Sequence, residues 1–198
     1  NDLPANNLKE LIVWLKANPD KARQGTTGLG GSTHLAGILF QKLSGTKFDF
    51  IPYRGLNLAM QDLLAGRIDL LFDLSSLSMP FVKSNKIKAY AIMGKERHPQ
   101  MPEVPTVDEA GLPGFHMTWW AGLLAPAGTP KEIAAKLNAA LTDALAGDAV
   151  RKRLANMGYA VYPADQQTPE ALSALQKSEL DKWMPIVKDA GLYQKIGK

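Results

Sequence analysis

The sequence predicts an α/β fold built on a parallel sheet, and two observations carry that prediction. Four short strand-like runs, at 21–26, Phe48–Tyr53, Ile68–Phe72 and Ile87–Met93, alternate with stretches of helical periodicity. Parallel strands need crossovers of roughly a dozen residues, whereas antiparallel neighbours can be joined by two. The second observation is a glycine-rich segment, Gly25–His34, set between the first run and a helix.

The elements follow in order. Leu8, Leu11, Ile12 and Leu15 recur at helical spacing, so 7–18 should be an amphipathic helix ended by Asn18-Pro19. After the glycine segment, Leu35, Ile38, Leu39 and Leu43 keep the same period. Phe48–Tyr53 reads as a buried strand, Leu58–Ala65 as a helix ended by Gly66, and Ile68–Phe72 as a strand closed by Asp73. A helix at about 76–84 leads to Ile87–Met93. Glu96–Gly114, with prolines at 99, 102, 105 and 113, reads as a connector. Beyond it are expected a strand at Trp119–Ala125, a helix from Pro130 to about Ala146, a second at 148–156, strand at Tyr159–Tyr162, and a long helix from Pro169 to about Ala190. Thr129-Pro130 and Thr168-Pro169 read as matching helix starts, Thr capping and Pro in the first turn. The second half holds too little strand to make a sheet by itself, so it should complete a lobe whose other strands come from elsewhere.

Composition narrows the function classes. The 198 residues hold 23 Lys+Arg, 19 Asp+Glu, 45% hydrophobic residues and no Cys, which excludes a disordered or disulfide-stapled chain. The apolar stretches Ile68–Phe72 and Trp119–Pro126 fall far short of the ~20 residues of a membrane-crossing helix. Asn1–Pro4 shows no basic-then-apolar leader, so either the protein is cytosolic or a targeting segment has been removed. Residues 1–99 carry a net charge of +5 and residues 100–198 one of −1. The densest basic run, Arg151-Lys152-Arg153, sits among Val150, Leu154 and Met157 as a solvated helix face, and no clustered basic surface with interleaved aromatics points to nucleic acid.

The glycine segment is the most informative stretch. Closely spaced glycines before a helix let backbone N–H groups converge on an anion, and the helix dipole favours negative charge. A carboxylate or a phosphate fits; a tight turn with no ligand fits equally. The segment lacks the Gly-Lys-Ser/Thr end of a P-loop, and Gly28-Leu29-Gly30-Gly31-Ser32-Thr33 has Thr where a dinucleotide fingerprint has its last Gly. His34 stands far in sequence from His98 and His116, without a His or carboxylate at metal-ligand spacing, so neither metal nor cofactor is expected. Ser32 lacks the elbow of an exposed nucleophile. Tyr53-Arg54-Gly55 and Asp73-Leu74-Ser75-Ser76 follow strands directly, which places them with 26–33 at the carboxyl edge where open α/β sheets bind ligands. Asp73 reads either as an N-cap or a ligand contact, Arg54 as a ligand contact or an exposed loop charge. Trp119-Trp120 reads as a core pair or an aromatic wall.

Taken together, several ordered motifs resemble one family. They are Gly25-Thr-Thr-Gly-Leu-Gly-Gly-Ser-Thr-His-Leu-Ala-Gly, Ile51-Pro-Tyr-Arg-Gly, Asp62-Leu-Leu-Ala-Gly-Arg-Ile-Asp, Met101-Pro-Glu-Val-Pro-Thr-Val-Asp-Glu-Ala-Gly-Leu-Pro-Gly and Leu124-Ala-Pro-Ala-Gly-Thr-Pro. Nearly the whole chain is similar to the substrate-binding receptors of tripartite tricarboxylate transporters, the Bug receptors. The resemblance implies a periplasmic-binding-protein-like fold of two α/β lobes. It implies a periplasmic, non-enzymatic receptor that captures a small carboxylate and delivers it to membrane permease subunits. The ligand positions it implies are Thr26, Thr27, Gly30, Gly31, Ser32, Thr33, Tyr53 and Asp73. Neutral donors at a helix start suit a carboxylate because they avoid the desolvation of a fixed cation.

Family receptors open with first-lobe strands and a second carboxylate loop ahead of the point matching Asn1. The resemblance therefore implies that 1–94 form the complete second lobe, 95–114 a proline-rich connector, and 115–198 the C-terminal, mostly helical part of the first. An incomplete site with weakened affinity is expected, and open strand edges favour a homodimer or strand exchange. Two rival readings stand beside this one: an enzyme acting on small organic acids, with His34 and Asp73 as its acid/base pair, and an interaction fragment with no ligand.

Overall fold

The computed structural model describes residues 3–193. The first element, α1 (Leu8–Ala17), begins where Asn7 Oδ1 accepts the Glu10 N–H at 2.9 Å and Glu10 Oε2 accepts the Asn6 N–H at 2.8 Å. This reciprocal arrangement satisfies donors the first turn would otherwise leave bare. Leu8, Leu11 and Leu15 make its buried stripe.

The sheet has three strands, β1 (Arg23–Thr26), β2 (Asp49–Pro52) and β3 (Leu70–Leu71), in the order β2-β1-β3 and all parallel. Between them run α2 (Ser32–Ser44) and α3 (Leu56–Leu64), and α4 (Ser75–Lys83) follows β3. Register is fixed at Gly25 opposite Ile51 on one side and Leu71 on the other. Gly25 is required there: a Cβ would lie 2.7 Å from Ile68 Cδ1 and 3.0 Å from Ala59 Cβ.

The strand order has a functional consequence. The chain leaves β1 toward β2 and then crosses back over β1 to reach β3. That reversal falls between the carboxyl ends of β1 and β3, the place where open sheets of this kind bind ligands.

Beneath the sheet lies an aromatic core. Phe40 of α2 meets Phe72 at 5.5 Å, Phe115 at 5.4 Å and Phe48 at 6.0 Å between ring centroids. Phe40, Phe48 and Phe115 are all buried.

Three expected strands are absent. Ile87–Met93 contributes a single parallel bridge, Ile92 to Thr106, and Trp119–Ala125 and Tyr159–Tyr162 are irregular. A strand needs a neighbour to satisfy its backbone, and none lies alongside these last two runs. The proline-rich stretch is well packed: Met101, Val104, Val107, Leu112 and Phe115 are buried. Thr106 and Glu109 cap a turn reciprocally, Thr106 N–H to Glu109 Oε2 at 2.8 Å and Glu109 N–H to Thr106 Oγ1 at 3.3 Å, with Arg97 on the same carboxylate at 2.8 Å. This turn is what the Pro-Thr-Val-Asp-Glu-Ala-Gly run builds.

The chain divides into two compact units. One runs to Thr118 and takes in the chain again from Ile186; the other is Trp119–Pro185. The second unit holds α5 (Lys131–Ala146), α6 (Asp148–Asn156), a 3-10 turn at Ala164–Gln166 and most of α7 (Pro169–Asp189). None of its residues is buried, and Leu123, Leu124, Ile133, Leu137 and Leu180 are exposed. Its two Thr-Pro starts differ. Thr168 Oγ1 accepts the Ala171 N–H at 3.1 Å and caps α7, whereas Thr129 Oγ1 donates to the Pro126 carbonyl at 2.8 Å, which leaves Pro130 as the α5 cap.

Candidate functional site

Three loops meet the carboxyl edge of the sheet: 27–31 after β1, 53–55 after β2 and 72–74 after β3. The first leads straight into α2, whose N-cap is Gly31 and which has no side-chain cap. First-turn N–H groups have no carbonyl within their own helix, and the helix dipole makes this end positive.

The loop is held by its own side chains. Thr33 Oγ1 accepts the Thr27 N–H at 2.8 Å and lies 3.1 Å from Thr27 Oγ1. His34 Nδ1 accepts the Gly30 N–H at 3.0 Å, and the Gly31 N–H closes onto the Gly28 carbonyl at 3.2 Å. Gly28 and Gly30 have φ of +104° and +74°, a backbone region that only glycine enters cheaply. Gln24, fully buried on β1, donates through Nε2 to the Thr33 carbonyl at 2.9 Å and so ties the first turn of α2 to the sheet.

The implied ligand positions therefore play different parts. Thr26 is buried in β1 with its carbonyl on the Tyr53 N–H at 2.7 Å. The Gly30 and Gly31 N–H groups are spent on shaping the loop. Tyr53 turns its hydroxyl onto Asp62 Oδ2 at 2.8 Å, and Arg67 holds the other oxygen of that carboxylate at 2.9 Å. Asp62 consequently sits below the usual carboxylate range, first because of the Tyr53 hydrogen bond and then that of Arg67. Arg54 is exposed on the same edge. Trp119 and Trp120 are half-buried at the start of the second unit.

Asp73 does not cap α4; Leu74 does, and Asp73 stands one residue before it. Its Oδ1 accepts the Leu74 N–H at 2.6 Å, while its Oδ2 is occluded and has no hydrogen-bond partner. Burial raises its pKa to about 6 against the small opposing effect of that N–H. The β1–β3 pairing ends at Gly25 opposite Leu71, and Asp73 follows two residues beyond it.

His34 and Gln24 are the residues whose roles the sequence left unread. His34 appeared there only as a catalytic or metal candidate; its ring is edge-on to Phe50 at 4.5 Å, and burial lowers its pKa. An Nδ1 that accepts a hydrogen bond carries no proton, so the ring is neutral here. Among the described residues no three His, Cys, Asp or Glu gather as a metal site.

A family model described as the tripartite tricarboxylate transporter family receptor matches residues 1–192. The chain belongs to that family. A curated relative from Agrobacterium vitis, a UPF0065 protein encoded in the TAR-I ttuE-ttuC' intergenic region, is 38% identical over 190 residues, which cover 96% of this chain and 55% of the relative. Among solved structures, the periplasmic binding protein BugD matches with a TM-score of 0.86 at 36% identity over 98% of this chain and 64% of its own. MatC from Rhodopseudomonas palustris, solved with bound malate, matches with a TM-score of 0.85 at 36% identity over 93% of this chain and 63% of its own. The chain thus spans little more than half of the curated relative it matches and about two thirds of these structures. Fold and family agree: the parallel sheet with its glycine loop is part of a periplasmic-binding-protein fold of the tricarboxylate-receptor type.

Proposed function

We propose that this protein is a periplasmic solute-binding receptor for a small carboxylate, working with the membrane permease subunits of a tripartite tricarboxylate transporter and not as an enzyme. The observation that carries the reading is the uncapped N-terminus of α2, opening at the strand-order reversal between β1 and β3. Thr26, Thr27, Gly30, Gly31, Ser32 and Thr33 make the carboxylate loop, and Tyr53 and Asp73 border it. In this reading the sheet-bearing residues 1–94 are one lobe, 95–114 join it to the next, and the helices of 115–198 belong to that other lobe.

Family membership and the malate bound by MatC support a carboxylate ligand. The chemistry agrees. First-turn N–H groups offer charge-assisted hydrogen bonds to a carboxylate. No helix of the described residues is long and apolar enough to cross a membrane.

The rival reading, acid/base catalysis by His34 and Asp73, is weakened by the Gly30 N–H that already occupies His34 Nδ1. A thermal melt against mono-, di- and tricarboxylates, amino acids, phosphate and nucleotides tests the proposal, because a ligand that binds only the folded state raises the melting temperature. A shift confined to one carboxylate class supports it. A shift with nucleotides alone, or turnover of a small acid, refutes it.

A further inference from the structure

We propose that Gln24 is a positioning residue for ligand capture: its buried amide orders the loop Thr27–His34 for the carboxylate and is kept in the core at the expense of stability. The inference rests on the receptor reading above and deepens it.

Gln24 is fully buried on β1, the central strand. Buried amides in folded proteins ordinarily have both ends paired, and this one has only its donor end paired. Nε2 donates to the Thr33 carbonyl at 2.9 Å and to the Gly25 carbonyl at 3.2 Å. Oε1 is occluded and has no hydrogen-bond partner among the described residues. It faces Gly37 of α2, where a Cβ would collide with Oε1 itself and lie 2.5 Å from Phe50 Cε1. The α2 backbone therefore rests on the Gln24 amide at Gly37, one turn beyond the carbonyl that the same amide holds. From there the order passes to the loop through two consecutive side chains. Thr33 Oγ1 accepts the Thr27 N–H at 2.8 Å, and His34 Nδ1 accepts the Gly30 N–H at 3.0 Å. Gln24 thus sets the loop through Thr33 and His34.

Packing alone would favour an apolar side chain of similar volume at this position. A buried acceptor without a donor destabilises the folded chain, and replacing a polar group by an apolar one of like shape is close to neutral or stabilising. Removing the amide strands neither carbonyl. That of Thr33 lies inside α2, where the helix supplies the Gly37 N–H, and that of Gly25 lies on a strand paired on both sides. What the amide adds is the fixed placement of the first turn of α2, the kind of local feature that binding sites keep against stability.

The test compares Gln24→Met and Gln24→Leu with the wild type, each as the full chain, by three readouts. The melting temperature is expected to equal or exceed that of the wild type. Amide exchange at Thr27 and Gly30 should quicken about tenfold, the effect of losing one hydrogen bond, while the amides of β2 and α3 keep their protection. Malate affinity, read by calorimetry, should weaken by a similar factor of about ten. A merely structural residue would instead lower the melting temperature and release β2 and α3 together with the loop. That result in both variants overturns the proposal, as does unchanged exchange at Thr27 and Gly30 or a malate affinity equal to that of the wild type, and each of these leaves the receptor reading in place. Absence of binding of malate and other small carboxylates to the wild type overturns the receptor reading and, with it, the role of Gln24 in capture.

Discussion

His34 Nδ1 accepts the backbone N–H of Gly30 at 3.0 Å, and this bond ties the glycine loop to the helix it precedes. The residue that looked most like a catalytic base is thus a structural acceptor. Its buried ring, edge-on to Phe50, anchors the loop to the second strand.

That role gives a pH dependence. Burial lowers the His34 pKa in the folded chain below its unfolded value of 6.5. The unfolded chain therefore binds the proton first, and the His34 contribution to stability is present above pH 6.5 and lost as the pH falls toward the folded pKa. His34→Leu should weaken carboxylate binding at every pH and remove this dependence, read as a flatter change in melting temperature from pH 7 to 5 than in the wild type.

Asp73 has the opposite sign. Its folded pKa of about 6 lies above the ordinary 3.8, so the folded chain is penalised where Asp73 is ionised and recovers as pH falls through 6 toward 3.8. Asp73→Asn should raise the stability of the unliganded chain above pH 7 by about 1–2 kcal/mol, since the group is only partly buried, and leave it unchanged near pH 4. Denaturant titration at the two pH values checks both halves.

At the loop, Gly31 has an ordinary φ of −67°, so alanine there meets no backbone penalty. A Cβ would lie 2.9 Å from Thr27 Oγ1 and 3.3 Å from the Gly28 carbonyl. Thr27 must then turn away from Thr33. Gly31→Ala should cost about 1 kcal/mol of stability and a larger factor in carboxylate affinity, measured by melting and calorimetry on the same sample.

In the core, Phe40 touches three other phenylalanine rings and is 2% exposed. Phe40→Ala should destabilise the first unit by about 3–5 kcal/mol, seen as loss of its cooperative melt.

Glu109 is held near a pKa of about 2, mainly by the Arg97 hydrogen bond and then by the Thr106 N–H. Its contribution is present above its ordinary 4.5 and lost as the pH falls toward 2. The melting-temperature gap between wild type and Glu109→Ala should therefore close over that interval.

How far the sequence could be read follows from the range of the interactions involved. Helical periodicity is local, so α1, α2 and α7 were legible from Leu8–Leu15, Leu35–Leu43 and the Thr168-Pro169 start. The glycine loop was legible because its spacing and placement before a helix are local as well. The strands at 87–93, 119–125 and 159–162 were overread, since an apolar run becomes a strand only beside a partner that sequence spacing does not supply. Thr129 and Thr168 stand in identical dipeptides and behave differently because the Pro126 carbonyl lies within reach of one hydroxyl. The Tyr53–Asp62 bond and the Gln24 tie to Thr33 likewise depend on a helix folding back over a strand, which no linear pattern records.

The claim at the centre of this account is that a carboxylate sits on the first turn of α2. Backbone amide ¹H–¹⁵N spectra recorded while malate is added to the chain test it most directly. Saturable shifts concentrated at Thr27–His34, with smaller ones at Asp73 and Leu74, are the predicted result. Saturable shifts that leave 27–34 untouched, or no shift with any carboxylate, would contradict it.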